Sequence, residues 1–131
     1  MQMEQRAKMI KLSEEELLDK SHLPVMMVMN MIDESRFLRV LESVSHGIGF
    51  GEEEGVCTMP DDLDEFDKAN GEVLEGVEFA LYSGQEVVID FNIFYTYLKI
   101  ICEKYVENHE EQKKKIEILL SEYERRFVLN N

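Results

Sequence analysis

Two cysteines in 131 residues, Cys57 and Cys102, are too few and too far apart for a disulfide framework. Neither belongs to a Cys-x-x-Cys pair, so a reducing cytoplasm is the expected compartment. Long apolar runs are missing as well. None approaches the roughly 18 residues that span a bilayer, which excludes a helical membrane span. Glu4, Arg6 and Lys8 stand where a secretory signal would carry its apolar stretch, and this argues against Sec export. Basic residues are scarce in one particular place. Between residues 51 and 90 there are 13 acidic residues and a single base, Lys68, while both flanking segments are close to neutral. Nearly all of the net charge of −14 therefore sits in the middle of the chain. Binding to nucleic acid or to an anionic membrane needs Lys and Arg at phosphates, so both are disfavoured. A field this concentrated instead speeds the capture of a basic partner.

With 44% apolar and 32% charged residues the chain can bury a core. No linker or repeat interrupts it, and residues 1–131 read as one domain. Ser13 and Glu16 form a capping box that predicts a short helix to about Lys20, with Pro24 beyond its end. Pro24 to Met31, with Val25, Val28 and four methionines, favours a buried strand by its length and its place after Pro24, although methionine alone would equally suit a helix. Asp33 caps a helix striped by Phe37, Leu38, Val40, Leu41 and Val44, which stops at His46-Gly47. Gly47, Gly49 and Gly51 then loosen the chain or permit positive φ.

A short strand is expected over 56–59, ended by Pro60, followed by an acidic loop from Asp61 to Asn70 with a helical turn. Residues 77–90 read as a β-hairpin with a two-residue Ser83-Gly84 turn, which sets Phe79 opposite Val88 and Ala80 opposite Val87. Both faces of that hairpin carry apolar residues, and the last two helices are expected to cover them. The first runs from about Asn92 to Glu107 behind Asp90; the second starts near Glu110 and carries Ile116, Leu119, Leu120, Tyr123 and Phe127. The fold class is α+β, with a small, mostly antiparallel sheet packed by helices that include the two at the C-terminal end.

The spacing shows no catalytic constellation. His22, His46 and His109 are scattered near element boundaries, and no basic neighbour activates either thiol. The glycine run lacks the Gly-Lys-Ser/Thr ending of a phosphate loop and is followed by Glu52-Glu53-Glu54. A calcium loop starting at Asp62 fails, because its fifth position is Phe66 and its glycine position is Asp67. Consecutive methionines in an apolar stretch are core filler before they are a metal site. No catalytic residue, metal or cofactor is expected. What remains is a surface: Glu53, Glu54, Asp61, Asp62, Asp64 and Asp67 flank the short strand and suit a basic protein partner. Phe66 or Tyr82 could anchor it.

An ordered series of residues carries a resemblance. It runs Phe37-Leu38 and Leu41-Glu42, Gly47-Ile48-Gly49-Phe50-Gly51, Cys57-x-x-Pro60-Asp61-Asp62-Leu63, Glu75-Gly76-Val77-x-Phe79, Glu86-Val87-Val88-Ile89, Phe94-x-x-Tyr97-Leu98 and Cys102-Glu103-Lys104-Tyr105. Over roughly residues 25–125 it resembles the bacterial contact-dependent growth inhibition (CDI) immunity proteins paired with ribonuclease toxins. The methionine-rich segment and the missing aromatic before Pro60 depart from that pattern. The resemblance implies a non-enzymatic cytoplasmic antidote that binds the toxin's C-terminal domain and blocks its RNA-cleaving site. Its competitor is an acidic mimic of nucleic acid acting on another basic protein.

Overall fold

The computed structural model describes residues 11–129; the charged stretch from Met1 to Lys8 lies outside them. Four strands form one antiparallel sheet in chain order: β1 (Phe50–Glu52), β2 (Gly55–Thr58), β3 (Val77–Leu81) and β4 (Glu86–Ile89). The helices are α1 (Leu23–Met31), α2 (Phe37–Ser45), α3 (Glu65–Ala69), α4 (Phe91–Asn108) and α5 (Lys113–Tyr123). The class is α+β, as the patterning predicts.

Pro24 to Met31 is not a strand. It is α1, with Pro24 in the first helical turn, where a fixed φ and a missing N–H cost nothing. Val25, Val28, Met29 and Ile32 are buried, at spacings of three, four and seven. The helix predicted from Ser13 to Lys20 is correspondingly absent. Ser13 N–H does donate to Glu16 Oε1 at 3.0 Å, but the turn it opens ends at Glu16.

Phe79 pairs with Val87, and Ala80 with Glu86, one residue away from the expected register. Leu81 N–H donates to Gln85 O at 2.7 Å and Gly84 N–H to Leu81 O at 2.9 Å. The loop therefore holds three residues, with Gly84 at φ +121° taking the left-handed position of a bulged turn. A one-residue slip exchanges the faces of a strand. Val77, Phe79, Leu81 and Ile89 point into the core, and Val88 turns outward, 55% exposed.

Among the described residues, helices cover one face of the sheet. Phe94 of α4 meets Phe79 edge-on with ring centroids 5.4 Å apart, and Tyr123 of α5 meets Phe94 at 5.9 Å. Val28 of α1 lies over Gly55 of the same face. The expectation of a cover on both faces fails because the corrected register gathers the large apolar residues on one. On the other face Val56, Thr58, Glu78 and Ala80 are half-buried, and Glu86 and Val88 are exposed.

A strap over residues 11–22 crosses this core. Asn30 Oδ1 accepts from the Lys11 and Leu12 amides at 2.8 and 2.9 Å, and Asn30 Nδ2 donates to Leu12 O. Leu18 N–H donates to Tyr97 Oη at 2.8 Å, and His22 Nδ1 lies 2.7 Å from the same oxygen. Lys104 Nζ donates to Glu16 Oε1 at 2.7 Å and is the main reason the Glu16 carboxyl titrates below its ordinary 4.5. A depressed folded pKa adds stability above the ordinary value and loses it as pH falls through the depressed one. Lys104→Met should therefore cost under about 1 kcal/mol near neutrality. The deficit should shrink as pH falls below the ordinary 4.5 and through the depressed value, as urea midpoints across that range would record.

Candidate functional site

The acidic residues singled out by sequence fall into two groups, one at each end of β2. Glu53 and Glu54 form the two-residue turn between β1 and β2, and both are exposed. Their neighbour Glu52 is a different case. Its side chain is 7% exposed and its carboxylate takes a hydrogen bond from Arg36 at 2.6 Å, so it serves the fold. Asp61, Asp62, Asp64 and Asp67 follow the other end of the strand. The length of β2, roughly 10–15 Å, separates the groups, so the six are not one cluster.

Three of the six also hold backbone together. Asp62 Oδ2 accepts from Gly49 N at 2.8 Å and from Met59 N at 2.7 Å, tying the glycine loop to the exit of β2. Asp64 caps α3 by accepting from the Asp67 amide at 2.8 Å, and Asp67 accepts from the Asp64 amide at 3.2 Å. The Asp67 amide is the chief reason the Asp64 carboxyl lies below the usual carboxylate range. Asp61 is exposed, and its backbone N–H donates to Gly47 O at 3.0 Å. Among the described residues no hydrogen bond or ion pair engages the carboxylates of Glu53, Glu54 and Asp61, while Asp62, Asp64 and Asp67 keep only part of their acceptor capacity for a partner.

Two further acids escaped the sequence reading. Pairs in register share a face, so Thr58, Glu78 and Val88 form one outward row and Val56, Ala80 and Glu86 the next. Glu78 and Glu86 therefore lie on the open face between the two predicted groups. The alternation in Val77-Glu78-Phe79-Ala80-Leu81 carried this signal, and the mistaken register hid it. The outer face is a shallow apolar strip of Val56, Ala80 and Val88, set among carboxylates. Both suggested aromatic anchors are available, with Phe66 74% and Tyr82 67% exposed.

A family model for CDI immunity proteins matches residues 11–120, most of the chain and the whole of the sheet. The chain belongs to the CDI immunity protein family. No curated protein matches it significantly.

Several features of this immunity protein bear on chemistry. Both thiols are buried. Desolvation pushes Cys57 far up and Cys102 up to about 12, so neither forms a thiolate near neutrality. His46 Nδ1 lies 2.9 Å from Glu42 O and Nε2 lies 3.4 Å from Glu122 Oε1. The shallow cleft beside it is lined by Lys114, Lys115, Ile118 and Leu119 and holds no hydroxyl or thiol nucleophile. A larger groove of about 680 Å³ runs between α4 and α5 over Ile100, Val106, Ile116 and Leu120, rimmed by Glu103, Glu107 and Lys113. Among the described residues no helix is long and apolar enough to cross a membrane.

Proposed function

We propose that this immunity protein neutralises a ribonuclease toxin: it binds the C-terminal toxin domain in the cytoplasm and occludes the RNA-cleaving site with its acidic surface. Family membership supplies the partner class, a cognate CDI toxin. The observation that carries the finer reading is the placement of acid: 13 acidic residues against Lys68 over residues 51–90, running from Glu53 and Glu54 across Glu86 and Glu78 to Asp61, Asp62, Asp64 and Asp67. A nuclease must be basic to hold RNA, and an inhibitor gains association rate and specificity by presenting the opposite sign. In this reading the chain is one domain without catalysis or cofactor, and its carboxylates stand where RNA phosphates would lie.

The test is association kinetics with the cognate toxin domain over a salt series, beside an RNA-cleavage assay. Glu53→Gln, Glu54→Gln and Asp61→Asn combined leave the capping and clamping bonds intact. The triple variant should associate about tenfold to a hundredfold more slowly, with a flatter salt dependence. Asp62→Asn, Asp64→Asn and Asp67→Asn form a second set, scored only after its urea midpoint is known. Unchanged rate, affinity and salt slope in both sets would show that the acid serves solubility and that the contact lies elsewhere.

A further inference from the structure

We infer that the immunity protein carries a preformed pocket for one arginine side chain of its partner, at the end of the sheet where Glu53 and Glu54 lie. A cleft of about 220 Å³ opens there between α1, the β1–β2 turn and the tip of the β3–β4 hairpin, lined by Met27, Glu53, Glu54, Leu81, Tyr82 and Ser83. That is room for one long side chain. Met27 is half-buried and Leu81 only 6% exposed, so the floor is apolar. Tyr82 forms a wall and the two glutamates the rim. The cleft is also held in shape. Tyr82 N–H donates to Glu54 O at 3.0 Å and joins the two turns, while Gly55 pairs with Leu81 directly beneath.

This combination selects its occupant by chemistry. The aliphatic stem of an arginine would lie on Met27 and Leu81, as long cationic side chains do on apolar surface. Its planar head would stack on Tyr82 and take carboxylate oxygens from Glu53 and Glu54. A neutral apolar anchor would strip water from two carboxylates and leave them unpaired. A divalent cation wants six or more oxygen ligands, whereas two carboxylates face this apolar floor.

The pocket deepens the proposed function and rests on it for the identity of the partner, so the experiment has two arms. In the first, the isotopically labelled full chain is titrated with N-acetyl-L-arginine methylamide and with its norleucine analogue. The arginine compound should give saturable millimolar shifts at Glu53, Glu54, Tyr82, Ser83 and the Met27 methyl. These should vanish in a Glu53→Gln, Glu54→Gln variant and be absent with norleucine. No saturable shift, or equal shifts in the variant, overturns the pocket. In the second arm, Tyr82→Leu should speed dissociation of the cognate toxin domain about tenfold, and Tyr82→Phe should restore it. A wild type that binds the toxin and a Tyr82→Leu variant with unchanged dissociation would overturn the pocket and leave the immunity reading standing. A toxin domain that cleaves no RNA would overturn the ribonuclease reading, while the titration still decides the pocket.

Discussion

Alanine at Gly49 is expected to destabilise the protein by roughly 4 kcal/mol or more, a large share of the 5–15 kcal/mol typical of a domain. Its φ is not positive, so the reason is space. A Cβ there would stand 1.9 Å from the Cys57 carbonyl oxygen and 2.7 Å from Asp62 Oδ2. The first atom is backbone of β2 and cannot swing aside. The second belongs to the carboxylate that accepts from both Gly49 and Met59, so relief of the clash would break that clamp. Gly51, two residues on, is the control: a Cβ there meets nothing within 4 Å. Gly51→Ala should stay within about 0.5 kcal/mol of wild type. Urea unfolding of the two variants, read at constant slope, checks the contrast. Equal midpoints would refute the steric account.

The second large effect is expected at Phe94. It is fully buried, set edge-on between Phe79 at 5.4 Å and Tyr123 at 5.9 Å, and so joins the sheet to both C-terminal helices. Phe94→Ala should cost about 3–5 kcal/mol and Leu98→Ala about 2–5, because neither site can collapse without moving α4. Ile118→Ala, on a side chain 54% exposed, should cost less than about 0.5 kcal/mol. Denaturation midpoints place the three in order. A Phe94 variant as stable as the Ile118 variant would mean that the ring does not bridge sheet and helices.

What the sequence made legible follows periodicity. α2, α4 and α5 each show an apolar stripe, and the pattern places their ends within a few residues; Asp90, the expected cap, accepts from Ile93 N at 2.7 Å. The pattern conceals α1 because Met26, Met27 and Met31 extend its apolar surface around most of the circumference. A helix with buried or half-buried residues all round has little contrast between faces, and only length and Pro24 arbitrate. The pattern shows the hairpin but not its register, since the choice between a two- and a three-residue turn depends on whether Gly84 closes the turn or starts the bulge. Strand β1 was hidden for a related reason: Gly49 and Gly51 read as flexibility, whereas the strand needs Gly49 for close approach. At the surface, sequence located the acid but could not divide it. Glu52 pairs with Arg36 and Asp62 clamps backbone, and no spacing distinguishes them from Glu53 and Glu54.

The strap over residues 11–22 has a consequence for the order in which the molecule assembles. Every strand pairs with its neighbour in sequence, so the sheet can form by closing short loops. The strap is anchored to α4 across 75 residues at His22, 79 at Leu18 and 88 at Glu16. Closing so long a span carries a larger entropic cost than any strand pairing. On this account docking of the strap onto Tyr97 and Lys104 is expected to follow pairing of the sheet. A nascent or partly unfolded chain would thus hold its sheet, with both ends of the acidic surface, before the amino-terminal side of the core is sealed.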